Sequence, residues 1–295
     1  MATPHHVENP FEYAVERLAW AVRDFARFLI PHPERHAGQV VPQVRKIGVA
    51  DLRDALRKGV EDMGALRDDV LFIAVIYPIA GLVLAAAAFN YNLLSMLFPL
   101  AAGFAIVGPV AATGLYEMSR RREEGQHVTW IDAFKVFSSP AIGSIAGMGL
   151  ILLSLFGLWL AAAYQIGLAT LGPETPPTLR MFMDQVFRSE ASGALILGGV
   201  GVGFLFAALA FAISVVSVPL LLDRPDANVI TVIATSIVAV RKNPATLGFW
   251  AVLIAGFAGA GLVTLYLGLI VTLPLIGHAT WHAYRDLVDF EGGCR

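Results

Sequence analysis

The chain has 295 residues, of which 57% are hydrophobic and only 15% charged, and its mean hydropathy is +0.67. A soluble domain carries about 25% charged residues, so composition excludes an ordinary water-soluble globule. A net charge of −2 leaves no basic excess to draw nucleic acid, and a lone cysteine, Cys294, excludes an internal disulfide.

The first 45 residues hold no short apolar core followed by a small-residue cleavage site, so the reading has no signal peptide and a cytoplasmic N-terminus. Asn9 and Pro10 suit an N-cap and a first helical position. Phe11, Ala14, Val15, Leu18, Val22, Phe25 and Leu29 then recur at three- and four-residue spacings, with Glu12, Glu16, Arg23 and Arg27 elsewhere on the wheel. The pattern predicts an amphipathic helix over Phe11–Ile30 that packs on its own protein or lies on the membrane surface, with a dedicated partner site as the alternative. Residues 31–46 read as a linker. A second amphipathic helix is expected from about Asp51 to Asp68, striped by Leu52, Leu56, Val60, Met63 and Leu66, lying along the interface and feeding the first span.

From Val70 the character changes. Val70–Phe89 is twenty residues without a charge, enough to cross a hydrocarbon core of about 30 Å at about 1.5 Å per residue. Further apolar tracts cover 93–116, 141–167 and 191–222, with the loop Gly172-Pro-Glu-Thr-Pro-Pro177 and a short amphipathic piece, Leu179–Phe187, between the last two. The tract 245–284 is too long for one crossing. It reads as two spans, 245–260 and 262–284, with a turn near Gly256–Gly261, or else as one span with a cytoplasmic extension. The predicted fold is thus all-α: a polytopic bundle of six spans (five on the alternative) within 47–288, preceded by 1–46 and followed by a tail at 289–295.

Lysine and arginine set the orientation. Ten lie before Val70, four in the 118–140 loop, three in 223–244 and two after 284, against Arg180 and Arg188 in the 168–190 loop. The positive-inside rule puts the richer side, with both termini, in the cytoplasm. Three hairpins each end in a span with proline in its last third (Pro109, Pro219 and Pro274) and a charged exit: Glu117 with Arg120, Asp223-Arg224, and Tyr284-Arg285. This reads either as an internal repeat or as the ordinary tolerance of proline in membrane helices.

Candidate chemistry is sparse. Glu117 is the one acid inside a predicted apolar segment, which argues against a proton pump or ion channel and leaves open a carrier for a neutral substrate. His278 and His282, at i, i+4 spacing, share one helix face and are the candidate metal pair. His127 is a third histidine that only the fold could bring near. The alternative puts the pair at the lipid–water boundary in an aromatic belt with Trp281 and Tyr284. Glu117, Arg120–Arg122, Asp223 and Arg224 read as rim anchors. Gly143–Gly147 and Gly199–Gly203 carry small-xxx-small spacing for close helix approach. The latter glycines have no strand before them, so they are no dinucleotide loop, and no GxSxG, HExxH, CxxC or Walker pattern occurs. No catalytic residue and no cofactor is assigned.

Three segments carry a resemblance: Pro99–Arg122, Phe211–Arg224 with Asn243-Pro244 downstream, and Leu267–Arg285. Over roughly 45–288 the chain resembles the bacterial domain-of-unknown-function family 2189, multi-pass inner-membrane proteins. The resemblance implies fold and location but no activity. The cytochrome oxidase label carried by some members is unsupported here, since this chain offers only two histidines near a span. Three functions are carried forward: a non-enzymatic accessory or assembly protein, a carrier or flippase for a neutral or lipid-like substrate, and a metal- or haem-handling protein. The bilayer is the expected partner, and a membrane-protein partner or a second copy is left open.

Overall fold

The computed structural model describes residues 42–65, 96–173, 178–264 and 268–290. The expected helix at 11–30, the expected span at 70–89 and Cys294 lie outside these residues. Among the described residues the elements run as β1 (Gln43–Val44), α1 (Val49–Ala65), α2 (Leu97–Ala111), α3 (Thr113–Glu123), a 3-10 helix (Trp130–Ser138), α4 (Ile142–Leu171), α5 (Leu179–Arg188), α6 (Ser192–Ser214), α7 (Ser217–Asp223), α8 (Val229–Lys242), α9 (Pro244–Val263), α10 (Leu269–Leu287) and β2 (Val288–Asp289). Four stretches among the described residues are helical, long and apolar enough to cross a membrane: Phe98–Glu123, Ile142–Leu171, Ser192–Asp223 and Pro244–Gly261. The protein is therefore an all-α chain with several membrane-crossing helices. α10 is not among the four, because His278, His282, Arg285 and Asp286 make its second half polar.

The apolar part of the bundle is organised around Trp159 on α4, which is 2% exposed and donates its indole N–H to the Pro99 carbonyl at 2.9 Å. The ring fits because two neighbouring helices present glycine to it. A Cβ on Gly103 of α2 would stand 2.8 Å from the ring, and one on Gly203 of α6 would stand 2.9 Å from it. Gly203 therefore uses the close approach its spacing suggests, whereas Gly199 and Gly201 face open space. Leu153 and Leu158 on α4, and Leu197, Phe204 and Leu205 on α6, point outward and are more than half exposed. Such a continuous apolar surface belongs against lipid, where small-residue contacts rather than hydrophobic burial hold helices together.

Two prolines coincide with breaks. Proline has no N–H and clashes with the preceding turn, which fits the interruption at Val215–Val216 just before Pro219, and a second interruption falls at Ala112, three residues after Pro109. Hydroxyls serve carbonyls near each break: Thr113 Oγ1 donates to the Val110 carbonyl at 2.6 Å, and Ser217 Oγ donates to that of Ile213 at 2.5 Å. Pro274 lies inside α10 without interrupting it.

Three expectations are corrected. The chain does form two helices over 244–287, but α9 continues through Gly256–Gly261 to Val263, so the turn falls later. Gly261 serves contact instead: a Cβ there would meet Leu269 of α10 at 2.3 Å. The inward face of α1 is Leu52, Ala55, Gly59 and Asp62, while Val60 is half exposed. A stripe read from hydrophobicity alone misses a face built from small residues and one acid. Finally, the end of the expected linker and the start of the expected tail pair as an antiparallel ladder, Gln43 with Asp289 and Val44 with Val288.

Candidate functional site: a polar clasp at one end of the bundle

The segment 43–47 is stitched into place before α1 begins. Arg45 N–H donates to the Leu287 carbonyl at 2.7 Å, and its guanidinium pairs with Asp289. Asn243, between α8 and α9, accepts from Ile47 N–H at 2.9 Å and donates to the Arg45 carbonyl at 2.9 Å. Lys242 Nζ donates to the Val44 carbonyl and Thr246 Oγ1 to that of Ile47. α1 leaves this anchor and lies along α10, closest at Gly59, where a Cβ would stand 2.9 Å from the Ala279 backbone nitrogen.

That approach drives Asp62 into the bundle. It is 4% exposed, and a buried carboxylate is tolerated only when donors surround it. Ser119 Oγ of α3 donates to its Oδ2 at 2.5 Å, His282 Nε2 of α10 donates to the same oxygen at 2.9 Å, and the Arg122 guanidinium pairs with Oδ1. Burial opposes ionisation, but the hydrogen bonds from His282 and Ser119 outweigh it and hold the carboxyl below its usual range. Ser119 has one proton and directs it to Asp62, so the contact of 2.7 Å between Ser119 Oγ and His278 Nδ1 is donated by the imidazole.

The network continues around the same end. Glu117, 3% exposed, receives both nitrogens of the Arg120 fork at 2.9 Å and also pairs with Arg121. Glu123 accepts from the Trp281 indole at 3.0 Å and from Arg285 at 3.2 Å. Asp223 accepts from the Tyr284 hydroxyl at 2.7 Å and from Arg285 at 3.2 Å. Arg224 sits 4.0 Å over the Phe290 ring, a cation–π contact.

Of the residues singled out in the sequence, Asp223, Trp281, Tyr284 and Arg285 are linked across α3, α7 and α10 through Glu123 and Asp223, whereas Glu117 and Arg120 pair within the α3 end and Arg224 rests on Phe290. Trp281 and Tyr284 are fully buried, with rings 5.4 Å apart, so they are not a belt facing lipid. His278 Nδ1 and His282 Nε2 are turned inward, to Ser119 and Asp62, and serve as donors there. Among the described residues no group of three or more His, Cys, Asp or Glu side chains is disposed to hold a metal ion. His127 is exposed. Asp62 and Asn243 were missed as candidates. The one available signal for Asp62 was its place three residues after Gly59 on the face that also carries Leu52 and Ala55.

Residues 97–223 match the family DUF2189, predicted integral membrane protein. The match is narrower than the span of 45–288 expected from the motifs, and Leu267–Arg285 falls outside it. The DUF2189 segment runs from α2 to α7 and supplies Glu117, Ser119, Arg122, Glu123 and Asp223. The groups that close the clasp upon it, Asp62, His278, Trp281, His282, Tyr284 and Arg285, come from the flanking chain. No curated protein and no solved structure matches this chain.

Proposed function

We infer that this protein is a non-enzymatic accessory or assembly factor of the bacterial inner membrane, crossing it six times with both ends in the cytoplasm. In this reading its N-terminal arm is presented to a membrane-protein partner from a fixed base. The observation that carries the reading is Asp62: its two oxygens are occupied by Ser119, His282 and Arg122. The side chains best suited to chemistry thus hold α1, α3 and α10 together. The orientation is supported by the clustering of 43–65, 118–123, 223–243 and 282–289 at one end, since these segments carry most of the lysine and arginine.

The test is co-purification from native membranes in a mild detergent after brief crosslinking. The intact chain is expected to bring down a defined set of membrane proteins. A chain lacking residues 1–41 is expected to lose that set, and Asp62→Asn to retain it only in part. If intact, truncated and substituted proteins are all recovered alone, the accessory reading fails. Single cysteines at Lys46 and Thr170, probed with a membrane-impermeant maleimide in right-side-out and inverted vesicles, test the orientation separately.

A further inference from the structure

The two loops at the clasp end fold back along the spans that precede them. After α3, Gly125 at φ 74° reverses the chain, and the 3-10 helix folds back so that Ala133 meets Gly114, where an added Cβ would stand 3.1 Å away. Gly114 precedes Arg120 by six residues, about 9 Å along the helix at about 1.5 Å per residue. The second loop does the same. Ser236 of α8 accepts the Val216 N–H at 3.3 Å, and Val216 precedes Asp223 by seven residues, again about 10 Å back along the helix. Each returning helix thus lies beside the proline-linked break of the span before it, on the apolar side of that span's charged end.

Both returning helices are apolar on two faces. The 3-10 helix buries Ala133 and Val136 beside the capping Asp132 and exposes Trp130, Ile131, Phe134 and Phe137, the last at 69%, with Lys135 paired to Asp132 among them. Trp130 and Phe134 meet edge to face, and Phe134 stacks on Phe137, forming a continuous aromatic ridge. α8 buries Val229, Val232 and Ala239 on the bundle and exposes Ile230, Ile237 and Val238. One polar surface per helix would suffice if these faces met water. Instead the exposed faces are apolar, on helices packed near the charged ends of the spans, and Trp and amphipathic helices favour the interfacial depth expected there.

We propose that the 3-10 helix Trp130–Ser138 and α8 form a collar embedded in the interfacial zone of the bilayer, where headgroups give way to acyl chains, on the clasp side of the protein. The occupant of both exposed faces is lipid. The collar sets the depth at which the protein sits and keeps the Asp62 clasp outside the hydrocarbon.

The test uses the full-length chain in phosphatidylcholine nanodiscs, with Cys294→Ser as background and a fluorescent label at one new cysteine at a time: Phe137→Cys, Ile237→Cys, Gln126→Cys as the aqueous reference and Leu205→Cys as the mid-span reference. Labels at 137 and 237 are expected to be quenched most by lipid with a nitroxide high on the acyl chain, and at least fivefold less by iodide than the label at 126. Iodide quenching equal to that at 126 would overturn the collar by placing the faces in water. Quenching strongest with a deep nitroxide, as at 205, would overturn the interfacial depth. Protection from iodide and from every lipid nitroxide would show that protein, not lipid, covers the faces.

Discussion

Asp62 accepts the Nε2 proton of His282 at 2.9 Å across 220 residues of chain. The other paired acids of α1 behave differently. Asp54 and Glu61 pair with Arg57 at the surface, where an ion pair adds little because water screens it and two long side chains must be ordered. Asp62 is the acid that α1 turns inward, and Asp62→Asn removes the charge that Arg122 pairs with and replaces one acceptor oxygen by an NH2 group among the donors Arg122, Ser119 and His282. Asp62→Asn is expected to cost about 2–4 kcal/mol, as for breaking a buried charged network. Thermal unfolding in detergent should show a clear drop for Asp62→Asn and none for Asp54→Asn. Equal unfolding temperatures for the two variants would remove the clasp.

The same carboxylate fixes a pH dependence. Asp62 is held below its usual range in the folded chain, so its contribution is fully present above the unfolded value of about 3.9 and is lost as pH falls through the folded value. Arg122, His278 and His282 face it. A spin-label pair at Val60→Cys and Gln126→Cys, in the Cys294→Ser background, should give one sharp distance at pH 7 and at pH 5 and a broadened one near pH 3. Asp132 caps the 3-10 helix by accepting from Thr129 N–H at 2.7 Å. Burial works against its charge, but Lys135 and Thr129 bring it down to about 2, so the cap of that helix should hold at pH 5 as well. Broadening already at pH 5 contradicts the assignment to Asp62.

Gly59 is expected to be intolerant of a side chain and Gly64 tolerant. A Cβ at Gly59 would press on Ala279 backbone atoms at 2.9 and 3.0 Å, whereas nothing lies within 4 Å of one at Gly64. Backbone cannot swing aside, so Gly59→Val should lift α1 from α10 and cost about 1–3 kcal/mol. Gly64→Ala should gain up to about 1 kcal/mol from reduced backbone entropy. Hydrogen exchange across 49–65 reports both: faster in the first variant, unchanged or slower in the second. Protection retained in Gly59→Val would mean that α1 does not need this contact.

The sequence made the long apolar helices legible because bilayer thickness demands a run of uncharged residues that composition displays directly. It also pointed to the charged helix ends, where Glu117, Asp223 and Arg285 stand out against apolar neighbours. What it could not display is pairing. Asp62 looks like one more surface acid of an amphipathic helix until Gly59 brings that helix against Ala279. Nor does the spacing of His278 and His282 reveal that Ser119 and Asp62 meet them from elements 159 and 220 residues away in sequence. The 3-10 helix has too few residues for a period to emerge, and its exposed aromatics are visible only once Ala133 is fixed against Gly114.

Asn243 gives the sharpest local test, because one side chain secures the entry to α1. Its Oδ1 takes the Ile47 N–H, while its Nδ2 serves the Arg45 carbonyl at 2.9 Å and the Ala239 carbonyl at 3.2 Å. Asn243→Ala leaves the Ile47 and Arg45 backbone groups without these partners, at about 0.5–1.5 kcal/mol each. Asn243→Asp keeps the acceptor for Ile47 but turns a carboxylate toward two carbonyls, so it should be no better than alanine. Arg45 and Lys46 have exposed side chains, yet trypsin needs their backbone extended and free. Brief proteolysis should therefore cut the intact protein slowly after these residues. Both variants should be cut about 5- to 100-fold faster, the population change that about 1–3 kcal/mol of local opening implies. If all three proteins are cut at one rate, the stitched segment opens without Asn243, and the anchor must be carried by the β1–β2 ladder alone.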